Sequence, residues 1–319
     1  GIGLFALAIG AMAATLSGFA FIGGPGLMYS IGMSAVFIVL PAGLTSTMTT
    51  WVLARKMRLL GEARGLLTVP DAIHARYDSR AAQALSAIAI LIAIVGYMGT
   101  NILALGLVID AIFGIGLGWS IWLGTLITLA YSVAGGILAG IYTDVFQGSL
   151  MAAASVLVFL FALDAGGGMS NMARTIQAAD ATFLAPWGKL GPLAALSFFF
   201  VFGIGALCQP HVLHKFYMLK DIRRLKWYPL LMTLAMLLTL LLYFGVGVAV
   251  KALSIEGRVV LARPDDATPM FLLDFAPVIL AALVFSGVTP AIMSTVNSFM
   301  NIGAAAVTLT VSIASMPEK

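Results

Sequence analysis

Eight stretches of about 20 or more mainly apolar residues run through this chain, the length an α-helix needs to cross the hydrocarbon core of a bilayer. They cover roughly 4–28, 31–54, 83–112, 117–138, 141–163, 190–212, 227–250 and 272–312. The last is long enough to cross with a strong tilt or to continue briefly past the membrane. Of 319 residues, 61% are hydrophobic and only 9% are charged. Soluble domains carry about 25% charged residues because their surfaces face water. So much apolar surface cannot be hidden in one or two water-soluble cores, and mean hydropathy is +1.06. The chain therefore reads as an all-α membrane protein, a single transmembrane domain over 1–319 with about eight transmembrane helices.

Four polar stretches separate the helices: 54–82, 164–189, 213–226 and 251–271. The first holds Arg55, Lys56, Arg58, Arg64, Arg76 and Arg80, and the third holds Lys215, Lys220, Arg223, Arg224 and Lys226. With Lys319 these make 12 of the 17 Lys and Arg, while the alternate segments carry Arg174, Lys189, Lys251, Arg258 and Arg263. The excess of basic residues marks the cytoplasmic side. Eight spans alternate correctly on that basis, with both ends inside, in a multi-pass protein of the plasma membrane, bacterial inner membrane by expectation. The 34 glycines suit close helix packing in lipid. Cys208 is the single cysteine, so a disulfide framework and a multi-cysteine metal site are excluded. Gly1 to Leu7 lack the charged region of a signal peptide, and without an initiator Met the chain is expected to begin inside a longer protein.

Two spans carry helix breakers. The first has Ser17-Gly18-Phe19 and Gly23-Gly24-Pro25-Gly26, and the sixth has Gly203-Ile204-Gly205 and Gln209-Pro210-His211. Proline removes a backbone donor and glycine weakens a helix. In lipid such breaks survive only where protein buries them or they line a cavity. Spans one and six correspond if the fold repeats every five helices, and paired breaks at the midplane are where secondary carriers build their sites.

Ionisable residues within the spans are few. Asp110, before Gly114, is expected to reach the headgroups at the outer end of span three. Asp144 lies at the inner entrance of span five, where it fits either a helix-start carboxylate or an ion-pathway group. In span eight, Ala291, Ser294 and Thr295 stand at i, i+3 and i+4 and share one helical face. Their hydroxyl and carbonyl oxygens suit a weakly held hard cation, or else bonds within and between helices. His74, His211 and His214 lie near expected cytoplasmic ends, and none has a metal-ligand spacing with a carboxylate or Cys208. His211 and His214, at i and i+3, could bind a metal in principle, but basic anchoring at the interface is the simpler expectation.

Taken together, four segments resemble the sodium:solute symporter family, which includes proline, pantothenate, acetate and sugar symporters. They are Ala13 to Gly18 with Gly24-Pro25-Gly26, Gly135-Gly136 to Gln147, Gln209-Pro210-His211, and Ala291 to Ser298. The resemblance extends over essentially the whole chain with the motifs in order. It implies a five-plus-five inverted-repeat bundle working by alternating access, with a first repeat at about 1–165 and a partial second at about 190–312. It implies a sodium site between spans one and eight, formed by the carbonyls of Ala13, Leu16 and Ala291 and the hydroxyls of Ser294 and Thr295. Asp144 matches the family's acidic residue on the inner side of span five and would receive sodium on its way inward. Ser17, Gly18, Phe202, Ala206, Gln209 and Pro210 would lie near the solute.

Departures are informative. Some members have Asp where Thr15 stands. Proline-type members are aromatic in span six where Phe202 and Ala206 stand, and the small Ala206 argues against proline. Members have about thirteen helices, so at least one helix before Gly1 and the last two core helices, with extras, are expected to lie outside this chain. The function expected of the intact protein is sodium-coupled symport of a small organic solute, an amino acid, carboxylate or similar, with sodium as coupling ion and no other cofactor. A symporter-like sensor domain of a signalling protein is the alternative. An enzyme is not expected, since His74, His211 and His214 form no ligand spacing with a carboxylate or Cys208, and a nucleic-acid partner is not expected, because topology already explains the basic loops.

Overall fold

The computed structural model describes residues 3–15, 18–66, 68–217 and 219–315, with side chains in these ranges other than at 12, 14, 15, 135–143, 239 and 309–315. The first span begins with α1 (Leu4–Thr15) and resumes at Gly18 through a π-helical turn, Phe19–Gly23, into α2 (Gly24–Ile31). Among the described residues of this span, the departure from α-helical geometry is that π-turn, at the glycines and Pro25 expected to break it. A 3-10 segment, Gly32–Ile38, leads to α3 (Ala42–Met48), a π-helical Thr49–Ala54 and α4 (Arg55–Arg64).

The polar stretch 54–82 is more ordered than its composition announces. It holds α4 and α5 (Val69–Tyr77), and α5 opens on reciprocal bonds between Thr68 and Asp71. Such a box satisfies amide groups that the first helical turn leaves without partners. Ser79 accepts from the Ala82 N–H and starts α6 (Arg80–Phe113). At the other end of α6, Asp110 accepts from the Gly116 N–H at 2.8 Å.

One boundary differs from expectation. α7 is helical from Leu117 to Ala165, across the expected gap between spans four and five. Its glycines loosen that stretch, but no proline stands there to end it. Asp144 therefore lies inside a helical run, and the helix-start explanation does not apply to it. Next comes α8 (Met169–Ala179), which buries Met172 and Ile176 and exposes Arg174 and Gln177.

The sixth span breaks as expected. α9 (Gly191–Gly205) tightens into a 3-10 turn, Ala206–Cys208, Gln209 leaves helical geometry at ψ 117°, and α10 (Pro210–Tyr217) begins. A 3-10 segment, Ile222–Trp227, precedes α11 (Tyr228–Leu242), a π-helical Tyr243–Gly247 and α12 (Val248–Ile255). α13 (Ala267–Asp274) and α14 (Val278–Ser315), with Pro290 inside it, complete the order. Among the described residues, seven helical runs are long and apolar enough to cross a membrane: 19–64, 80–113, 117–134, 144–165, 191–217, 222–255 and 278–308.

Packing inverts the usual distribution. Ile92, Val95, Trp119, Val133, Leu193 and Val278 face outward, while Asn101, Asp144, Lys215, Ser294 and Thr295 are buried. Lipid accepts the former, and the latter need partners inside the bundle. α1 sits centrally, against α7, α11 and α14, and α14 packs along α6 and α7. The segment after α8 is pinned to the end of α2. Gly32 (φ +63°) turns there so closely to Phe183 that a side chain would strike its carbonyl, which accepts from the Met33 N–H at 3.0 Å. Ser34 donates to the Trp187 carbonyl at 2.7 Å.

Candidate ion and solute site

Four helices bring oxygen atoms and charges together at one buried point. From α14, the Thr295 hydroxyl lies 3.1 Å from the Ala291 carbonyl and 3.3 Å from the Ala13 carbonyl of α1. Ser294 donates to one carboxylate oxygen of Asp144 on α7. The other oxygen accepts from the Lys215 ammonium of α10 at 2.8 Å, and the same ammonium donates to the Gly10 carbonyl at 2.6 Å. Ser294 and Thr295 are fully enclosed, and Asp144 and Lys215 nearly so. A buried charge pair is tolerated when further hydrogen bonds satisfy its partners, and here each Asp144 oxygen has a donor and the Lys215 ammonium has two acceptors. The local chemistry is thus a cluster of hard oxygens beside a carboxylate whose charge is already matched.

A cavity of about 340 Å³, lined by none of these residues, is bounded by both broken spans. Phe19 and Ala20 come from the π-turn of the first span, and Phe202, Ala206 and Gln209 from the break of the sixth. Phe19 and Phe202 stack with ring centroids 6.2 Å apart. Tyr97, Tyr228 and Tyr243 add aromatic surface. The breaks leave carbonyls needing donors, and neighbouring hydroxyls supply them. Thr45 donates to the Gly203 carbonyl at 2.9 Å and Thr49 to that of Leu207 at 3.4 Å. At the first break, the Gly18 N–H donates to the Asn101 side-chain oxygen at 3.0 Å. Among the described residues, no Asp, Glu, Lys or Arg lines this cavity.

Of the residues expected at the ion site, Ala13, Ala291, Ser294, Thr295 and Asp144 come together. Leu16 lies outside the described residues, as does Ser17 of the solute set. Phe202, Ala206 and Gln209 line the cavity. Gly18 bonds to Asn101 instead of lining it, and Pro210 lines a separate crevice with His214 and Ile302. Lys215 is the main surprise. Its place in a basic cytoplasmic stretch concealed a buried partner of Asp144. Asn101, a lone amide in an apolar span, was visible by its cost in lipid but carried no pattern that named its role.

A family model described as the sodium:solute symporter family matches residues 1–317. The osmoregulated proline transporter OpuE of Bacillus subtilis (strain 168) is 28% identical over 311 residues, covering 97% of this chain and 63% of that protein. The sodium/pantothenate symporter of Escherichia coli (strain K12) is 27% identical over 208 residues, 64% of this chain and 43% of that one. This chain thus spans less than two thirds of the length of these relatives. Among solved structures, a Na+-coupled sialic acid symporter in a substrate-bound, outward-open state matches with a TM-score of 0.82. Sequence identity is 18%, and the match covers 100% of this chain and 68% of that one. The fold is that of a Na+-coupled symporter bundle.

Proposed function

We propose that this chain, which belongs to the sodium:solute symporter family, carries the sodium site and solute cavity of a carrier that moves a small organic solute together with sodium by alternating access. It is an integral, multi-pass membrane protein. One observation carries the proposal: the buried oxygens of Ala13, Ala291, Ser294 and Thr295 converge with Asp144, in a bundle whose two broken helices frame a cavity. Sodium is a hard ion, and neutral oxygens of this kind bind it weakly enough for release. Leu16 would add a carbonyl to the set.

Coupling requires that sodium prefer one conformation over the other. A cation joining α1 to α14 does that, because it bonds only when the two helices stand together. The solute would then lie against Phe19, Phe202, Ala206 and Gln209, and sodium would leave past Asp144. An uncharged, partly aromatic wall suits a compact neutral or zwitterionic solute such as an amino acid. The relatives named above are a proline transporter and a pantothenate symporter, so those two solutes head the test panel. The protein is reconstituted in liposomes and uptake of labelled amino acids and carboxylates is measured with an inward sodium gradient or with choline. Sodium-dependent accumulation of one solute class is expected. Accumulation equal in sodium and choline overturns the proposal.

A further inference from the structure

Lys215 is neither a sodium ligand nor a wall of the solute cavity, and its setting is unlike that of its neighbours in sequence. Lys220, Arg223, Arg224 and Lys226 are exposed, as expected of a basic loop beside the headgroups. Lys215 instead sends its stem inward from α10, and its ammonium bonds both Asp144 and the Gly10 carbonyl. The backbone of α1 passes close by: a Cβ at Gly10 would lie 3.6 Å from the Lys215 nitrogen and 3.6 Å from the Asp144 Cβ, in ordinary contact with both.

This arrangement closes on the oxygen cluster. One Asp144 oxygen faces Lys215 and the other takes the Ser294 hydroxyl. A sodium ion that drew on Ser294 and then Asp144 would meet an ammonium at contact distance, and like charges this close repel strongly in a buried site. One carboxylate cannot serve both cations fully. α10 is also the short helix beyond the break at Gln209, so it can shift without dragging α9. His211, one turn before Lys215, packs against the ring of Phe299, itself against Tyr97, and its ring nitrogens form no hydrogen bond with the described residues.

We propose that Lys215 is a tethered competitor of the transported ion: its ammonium neutralises Asp144 while the ion site is empty, and sodium reaching Asp144 displaces it and frees α10. This rests on the sodium site proposed above. The lysine thereby makes the position of α10 depend on whether the ion is present. It also tunes affinity, because every sodium that binds must do so against the fixed positive charge.

The test uses purified protein and reads sodium-specific thermal stabilisation against choline, which gives a half-saturating sodium concentration. Lys215→Gln keeps a donor and removes the charge, and should lower that concentration by about tenfold or more. Lys215→Arg keeps the charge and should stay near the wild type. A Gln variant with half-saturation equal to or above wild type overturns the proposal. Hydrogen–deuterium exchange on the wild-type protein gives a second reading that does not depend on a variant folding. Sodium should speed exchange in residues 210–217, and unchanged or slower exchange overturns the proposal. A wild-type protein that responds to sodium no more than to choline removes the sodium site itself, whereas a normal wild-type response without these two effects removes Lys215 alone.

Discussion

Ser294 and Thr295 owe their usefulness to spacing. Adjacent in sequence, they leave the helix about 100° apart, so one turns to Asp144 and the other to the Ala13 carbonyl. Changing both to Ala removes two hydroxyl oxygens while leaving the fold of α14 intact, since Ala is the strongest helix former. The half-saturating sodium concentration for uptake should then rise by about tenfold or more, given that a hydrogen-bond-scale contact to a charge is worth about 1.5–3 kcal/mol. Unchanged sodium activation in this double variant would sink the assignment of both hydroxyls. Their grouping was legible in the sequence, because helical periodicity fixes which side chains share a face. Lys215 was not, for a physical reason. Charge counting assigns a segment to one side of the membrane, but a four-carbon stem can carry its nitrogen several ångströms away from where its backbone sits.

Helices show the same division. Both broken spans were legible, because Pro and Gly act on the backbone locally and the cost of a break in lipid is general. α4 and α5 were hidden in a polar stretch, since hydropathy finds only helices that lipid surrounds, and α5 is fixed instead by the Thr68–Asp71 box. The continuity of α7 was hidden for the converse reason: glycines suggested an end that nothing enforced. Between α8 and α9, Asp180 and Lys189 pair at 2.6 Å. The bond from Lys189, with one from Thr182, lowers the Asp180 pKa from 3.8 to about 2. A carboxylate with a depressed folded-state pKa stabilises the fold above its unfolded value and loses that contribution as pH falls through the folded one. Thermal stability should therefore drop between pH 3.8 and about 2, and Lys189→Gln should flatten the drop across that window. Equal slopes in the two proteins would show that the pair does not set it. Asp265 acts in the opposite sense. Burial, and then neighbouring Asp266, raise its pKa, so its protonation on acidification favours the folded state.

The molecule as a whole is oriented by its basic residues. If the excess at 54–82 and 213–226 faces the cytoplasm, a Lys220→Cys variant in a Cys208→Ser background should react with an impermeant maleimide only after cells are opened. Val260→Cys, in the segment between α12 and α13, should react in intact cells. The reverse pattern would invert the topology. The buried ion pair has an electrical consequence at this scale. Asp144 and Lys215 cancel and stay with the protein, and among the described residues no Asp, Glu, Lys or Arg lines the cavity to compensate the passing ion. Each sodium carried with a neutral solute would then deliver one uncompensated positive charge across the bilayer. Transport would be electrogenic, drawing about 2.3 kcal/mol per 100 mV from the membrane potential. The same current would let a voltage clamp count turnovers.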